Sequence, residues 1–231
     1  MNILALDTSS SFGTIAVAKN DKLTYLSVID IQATHSERLM PQIDNGLKLA
    51  QLNMKDLDLI CVGNGPGSFT GIRIGLATAK GLCLGNEIPL LPFNTLAIIA
   101  NNLYKPQYPV LVVLDAKMNE VYGALYSPEM QVIIPPQNAE PAELFKQIQQ
   151  KVIITGDGVA RYKSVLEEQE IEFETVLAHQ NILYASTMIG LVLHQNIIPK
   201  YDFDFIADLE PYYLRRSQAE IVKARKSAKE N

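Results

Sequence analysis

Apolar and polar positions along the chain switch between two periods. Ile3–Leu6 is a short apolar run, Asp7-Thr8-Ser9-Ser10-Ser11 interrupts it with hydroxyls, and Thr14–Ala18 resumes it. That order predicts a β-hairpin with an acid in its turn. Leu23–Ile29 partly alternates and predicts a third strand. From Thr34 the period becomes helical. Thr34 and Glu37 make a T-x-x-E capping box, and apolar residues follow at Leu39, Met40, Ile43, Leu47 and Ala50. Pro41 falls in the second turn, where its missing N–H predicts a kink. Leu57–Val62 predicts a buried strand, Gly63–Gly67 breaks it, and Ser68 caps a second helix running to about Leu84.

The layout then repeats. Val110–Leu114, Asp115 and Glu120–Tyr126 reproduce the strand, acid, turn and strand of Ile3–Ala18, with Asp115 over Asp7 and Ala124 over Ala16. Further on, Val152-Ile153-Ile154-Thr155-Gly156-Asp157-Gly158 echoes Leu59-Ile60-Cys61-Val62-Gly63-Asn64-Gly65. Two echoes in the same order predict a duplicated α/β chain. The prolines in Lys105-Pro106-Gln107-Tyr108-Pro109 set a boundary. The expected division is one lobe over 1–105, a second over 106–214, and a basic tail over 215–231. Duplicated lobes that each open with a β-hairpin carrying an acid describe the actin/hexokinase-like (ASKHA) architecture, by analogy of fold.

The helix after Ser68 carries two apolar stripes. Phe69, Ile72, Leu76, Ala79 and Cys83 form one; Ile74, Ala77, Gly81 and Leu84 form the other. A surface helix needs only one stripe for its own sheet. Either the helix is buried between layers of its own domain, or its second stripe is half of an interface. Gly71 and Gly75, one turn apart, leave a flat surface where another helix can approach closely.

Composition narrows the class. With 48% apolar and 19% charged residues, a disordered chain, a coiled coil and a polyelectrolyte are excluded. No apolar run reaches the roughly 18 residues that span a membrane. The opening Met-Asn-Ile-Leu-Ala-Leu-Asp has no basic leader pattern, and Cys61 and Cys83 alone make no disulfide framework. A cytoplasmic, globular protein is expected. Charge is uneven: six basic against two acidic residues give 215–231 a net +4, leaving 14 against 23, or −9, on the rest. Such a tail either touches RNA phosphates or is simply solvated.

Candidate chemistry is sparse. Asp7-Thr8-Ser9 offers the hydroxyl and backbone donors that hold a nucleotide phosphate, and Asp115 from the other lobe completes a carboxylate pair able to hold Mg²⁺. The same residues also suit plain Asx and Ser/Thr turns. Gly63–Gly71 resembles an anion-binding turn opening a helix, but Pro66 removes a donor and no Lys stands where a P-loop needs one. His35, His179 and His194 are scattered, without an H-x-x-x-H or H-E-x-x-H pair. Cys61 and Cys83 sit at apolar positions and read as core.

Five stretches carry a family resemblance. Met1–Ser9, His35-Ser36-Glu37-Arg38-Leu39-Met40-Pro41, Gly65-Pro66-Gly67-Ser68-Phe69-Thr70-Gly71-Ile72-Arg73-Ile74-Gly75, Asp115–Tyr122 and Pro211-Tyr212-Tyr213-Leu214-Arg215 resemble the bacterial TsaB (YeaZ) family, in order and over essentially the whole chain. The resemblance implies a non-catalytic subunit in making N6-threonylcarbamoyladenosine, the adenosine 3′ of the anticodon in tRNAs reading codons that begin with A. Its related catalytic subunit, TsaD, binds metal through an H-x-x-x-H motif after a Pro-x-Asn. Here the matching stretch is Pro92-Phe93-Asn94-Thr95-Leu96-Ala97-Ile98-Ile99, with Thr95 and Ile99 where imidazoles are needed. No metal, no cofactor and no catalytic residue are expected, which also argues against a peptidase. Asp7, Thr8, Ser9 and Asp115 would then be a vestigial nucleotide cleft.

The resemblance further implies pairing with TsaD, with itself when TsaD is absent, and with TsaE as an ATPase third partner, tRNA being met only through the complex. The pairing face would be the two helices after the HSE and GPGSFTG motifs. Its expected residues are His35, Glu37, Leu39, Met40, Ile43 and Leu47 on one helix, and Phe69, Ile72, Arg73, Leu76, Ala79, Lys80 and Cys83 on the other.

Overall fold

The expected hairpins form. A computed structural model describes residues 1–30 and 35–215. The Thr34–Glu37 capping box, the side chains of His35 and Glu37, and the tail beyond Arg215 lie outside what is described. In the first half, β1 (Ile3–Asp7), β2 (Phe12–Lys19) and β3 (Lys22–Asp30) make an antiparallel meander. Helix α1 (His35–Ala50) follows, with Pro41 inside it, and leads to β4 (Leu59–Gly63), which runs parallel to β1. Helix α2 (Phe69–Asn86) then leads to β5 (Leu90–Phe93) beside β4. Ser68 caps α2 as expected, accepting from the Gly71 N–H at 3.2 Å.

A short helix, α3 (Thr95–Ala100), opens the crossing to the second half. There β6 (Val110–Lys117), β7 (Glu120–Tyr126) and β8 (Val132–Ala139) repeat the meander. Helix α4 (Pro141–Phe145), β9 (Val152–Thr155), α5 (Val159–Glu167) and β10 (Phe173–Thr175) complete the second sheet. The strand orders are β3-β2-β1-β4-β5 and β8-β7-β6-β9-β10, so one sheet repeats the other strand for strand. Pro135 and Pro136 lie on β8, an edge strand, where a missing N–H leaves few ladder bonds unmade.

The halves exchange helices. Helix α3, after the first sheet, packs on β6 and β7; α6 (Ala185–Gln195), after the second sheet, packs on β1 and β2. Small residues Ala5, Ala16 and Ala18 share this central core with Met188, Ile189 and Val192 of α6, and Val110, Val112 and Ala124 close it from the second sheet. The α6 start is tied down by Thr14 Oγ1, which accepts from the Ala185 N–H at 3.0 Å. Helices α1 and α2 cover the outer face of the first sheet, α4 and α5 that of the second. After α6 the chain returns to the first half, where α7 (Phe203–Asp208) buries Ile206 beside α2.

The interface residues expected on α1 and α2 divide here. Leu39, Ile43 and Leu47, with Leu76, Ala79 and Cys83, are buried against the chain's own sheet, and Ile72 is buried as well. They are core, and each large one contributes about 1.5–3 kcal/mol by that burial. In the folded chain their side chains face inward and leave little surface for a partner. Met40 (45% exposed) and Arg73 remain outside, and Phe69 and Lys80 are half-buried.

Candidate functional site

The glycines of the GPGSFTGIRIG stretch fit α2 onto the first hairpin turn. A Cβ on Gly71 would collide with the Thr8 carbonyl oxygen, and one on Gly67 with that of Ser9. The approach is bonded as well as close. The Ser68 N–H donates to the Ser9 carbonyl at 2.7 Å, and Thr8 Oγ1 donates to the Gly71 carbonyl at 2.6 Å. Gly75 also faces Thr8, so the surface expected to admit a foreign helix at Gly71 and Gly75 is filled by the chain's own turn.

This contact uses up the phosphate-binding chemistry expected of Asp7-Thr8-Ser9. All three are buried. The Ser9 N–H and Oγ–H both donate to Asp7 Oδ1, each at 2.7 Å. Thr95 Oγ1 lies 3.1 Å from Ser9 Oγ; with the single Ser9 proton on the carboxylate, Thr95 is the donor. Asp7 Oδ2 is buried against Gly63 and has no hydrogen-bond partner among the described residues. Burial pushes the Asp7 carboxyl up to about 6, and the two Ser9 bonds offset only part of that.

The second turn is built oppositely. Asp115 accepts from Lys117 Nζ and Arg161 Nη1, both at 3.0 Å, and from the Lys117 N–H at 2.9 Å. Burial raises its pKa, but the Lys117 and Arg161 contacts together prevail and hold it below the usual carboxylate range. The Asp115 N–H in turn donates to Asp157 Oδ1 at 2.9 Å, and burial pushes that carboxyl up. Asp157 is the acid of the Gly156-Asp157-Gly158 echo, so this signal was present in the sequence. Arg161 had none, since it reaches Asp115 from a separate helix.

A cavity of about 540 Å³ separates the two turns. Ser9, Ser10, Ser11, Ser68 and Phe69 line one wall; Asp115, Lys117, Tyr122, Asp157 and Arg215 line the other. Of the four expected cleft residues, Ser9 and Asp115 reach the cavity, while Asp7 and Thr8 lie behind its wall. Asp115 already carries two cations and Asp7 does not face the space, which leaves Asp157 as the other carboxylate lining it. Of the two positions compared with imidazoles in the sequence, Thr95 is buried on Ser9 and Ile99 lies in the central core. Asn94 caps α3, accepting from the Leu96 and Ala97 N–H groups. Among the described residues, no three of His, Cys, Asp and Glu gather in a possible metal site. Burial pushes the Cys61 and Cys83 thiols up, away from thiolate chemistry.

The outer surface of α2 has a different character. Arg73, Ala77, Gly81 and Gly85 are exposed, and Ile74 and Leu84 are half-buried. Among the described residues nothing lies within 4 Å of where a Cβ would stand on Gly81 or Gly85. On the neighbouring α1, Met40 and Leu49 are exposed. The second apolar stripe seen in the sequence is therefore the outward one.

Comparison with known proteins places these features. The family model described as TsaD: tRNA N6-adenosine threonylcarbamoyltransferase matches residues 30–222. The chain is 29% identical over 230 residues to the tRNA threonylcarbamoyladenosine biosynthesis protein TsaB of Haemophilus influenzae, covering 93% of this chain and 94% of that one. It is 30% identical over 209 residues to the TsaB of Buchnera aphidicola subsp. Schizaphis graminum, covering 86% and 96%. Among solved structures, YeaZ from Pseudomonas aeruginosa superposes with a TM-score of 0.74 at 24% identity, over 92% of this chain and 99% of that one. (R)-2-hydroxyglutaryl-CoA dehydratase component A from Acidaminococcus fermentans superposes at 0.50 with 11% identity, over 84% and 99%, a likeness of fold alone. The architecture is that of duplicated actin/hexokinase-like (ASKHA) lobes, as the repeated hairpins predicted.

Proposed function

The chain belongs to the TsaB (YeaZ) family, and from that membership we propose that it acts in tRNA threonylcarbamoyladenosine biosynthesis as a non-catalytic, partner-supporting subunit. Its partner in this reading is the catalytic TsaD, joined by TsaE as ATPase; a homodimer forms when TsaD is absent, and tRNA is met only through the complex in the cytoplasm. Residues 1–105 and 106–214 act as its two lobes, each packing a helix on the other's sheet, and 215–231 as a basic tail. The observation that carries the reading is the open small-residue strip of α2, where Gly81 and Gly85 leave space for the backbone of another helix. Arg73 and Ile74 share α2 with it, and Met40 and Leu49 are exposed on the neighbouring α1. A face of this kind buries on the order of 800 Å² per partner. Two further observations support the non-catalytic part: Asp115 is neutralised by Lys117 and Arg161, and the hydroxyls of Thr8 and Ser9 are spent inside the fold.

The role is tested by mass spectrometry of bulk tRNA after depletion of this protein. Threonylcarbamoyladenosine should fall, and an unchanged level would defeat the proposal. The face is tested separately by size-exclusion chromatography of Gly81→Arg, which should remain folded and lose both the homodimer and the TsaD complex. Normal pairing by that variant would place the interface elsewhere.

A further inference from the structure

The last described residues bridge the cavity. Lys80 Nζ donates to the carbonyl oxygens of Ala207 and Leu209, at 2.7 and 3.1 Å, and so anchors the end of α7 to α2. The Tyr212 N–H then donates to the Asn64 carbonyl at 2.8 Å. Its own carbonyl closes on Gly65, where φ is +111° and an added Cβ would stand 2.7 Å from that oxygen. Tyr213 stacks on Phe69, with ring centroids 4.7 Å apart and 21° between planes, and its hydroxyl accepts from Arg73 Nε at 2.7 Å. Two residues on, Arg215 Nη1 meets Glu120 Oε2 at 3.0 Å on β7 of the second sheet. Asn138 Nδ2 holds that carboxylate from β8 at 2.9 Å.

Phe69 and Arg215 stand on opposite walls of the cavity. One short segment is thus fastened to the first half at Tyr212 and Tyr213 and to the second half at Arg215. We propose that residues 211–215 are a latch that fixes the width of the cavity between the two sheets. The central core of α3 and α6 joins the sheets at their inner faces, and this segment adds a tie on the cavity side. The Arg215–Glu120 pair is partly buried, with side chains 15% and 33% exposed, so salt screens it less than a fully exposed pair. The outer end of the latch is accessible, since Arg73 is exposed on α2. The inference concerns the chain by itself and holds whether or not the partner reading does.

The test is a distance measurement across the cavity in the full chain. Nitroxide labels go on Ser11→Cys, at the first wall, and Ser164→Cys, exposed on α5; Cys61 and Cys83 are buried and escape labelling. Tyr213→Ala and Glu120→Ala cut the latch at opposite ends. Pulsed electron resonance should give one narrow distance in the parent and, in each variant, a distribution that broadens and shifts to longer distance. A parent-like distribution in either variant overturns the latch.

Discussion

The two hairpin turns occupy the same place in two sheets of the same strand order, yet treat their acids in opposite ways. Asp7 is buried and, among the described residues, is bonded only by Ser9, with one oxygen left unpartnered. Asp115 stands at the cavity rim under Lys117 and Arg161. One carboxylate is withdrawn from water and the other is paired with two cations. The cause in the first half is α2, whose glycine edge lies on Thr8 and Ser9. In the second half α5 instead sends Arg161 and Tyr162 to the acid. The same strand order thus carries two turns whose acids sit in opposite surroundings.

The largest expected effect breaks the helix-on-turn contact. Gly71→Ala places a Cβ on the Thr8 carbonyl and should cost about 4 kcal/mol in denaturant unfolding, the size reserved for a forced backbone shift. Gly158→Ala, whose Cβ would stand 3.0 Å from a Val113 methyl and carbonyl, should cost about 1 kcal/mol. Equal losses would erase the asymmetry between the halves.

The acids come next. Asp7 is harder to ionise in the fold than in the unfolded chain, so its contribution to stability falls as pH rises from 3.8 to about 6. Asp7→Asn removes that dependence. Its stability relative to the parent should improve by up to about 3 kcal/mol between pH 4 and pH 7.5, read as the pH profile of unfolding. Asp115 has the opposite sign, because its lowered pKa supplies stability above the usual carboxylate range that is lost on acidification. Asp115→Asn should cost about 1 kcal/mol at pH 7, a loss that disappears in acid, since the pair is partly solvent-screened. Parallel pH profiles for the two variants would contradict the opposite environments.

Much of the scaffold was legible because it rests on local signals. The hydroxyl-rich turn after Ile3–Leu6, the Ser68 cap and the Gly156-Asp157-Gly158 echo each identify their element within a few residues. The site was less legible because its decisive contacts are distant in sequence. Both stripes of α2 are apolar, so periodicity could not say whether Leu76 or Ala77 faces inward; the sheet decides it from residues in β1 and β4. Gly71 looked like a surface for another helix because Thr8, its occupant, lies 63 residues away. Arg73 meets Tyr213 across 140 residues, and no spacing rule anticipates such a pair.

The comparison of the turns with the outer face of α2 leads to one measurement. In cells depleted of this protein, threonylcarbamoyladenosine in bulk tRNA is quantified by mass spectrometry after complementation with the parent, Asp115→Ala or Gly81→Arg. The account predicts that the parent and Asp115→Ala restore the modification and Gly81→Arg does not. Restoration by Gly81→Arg together with failure of Asp115→Ala would return the function to the cleft and contradict it.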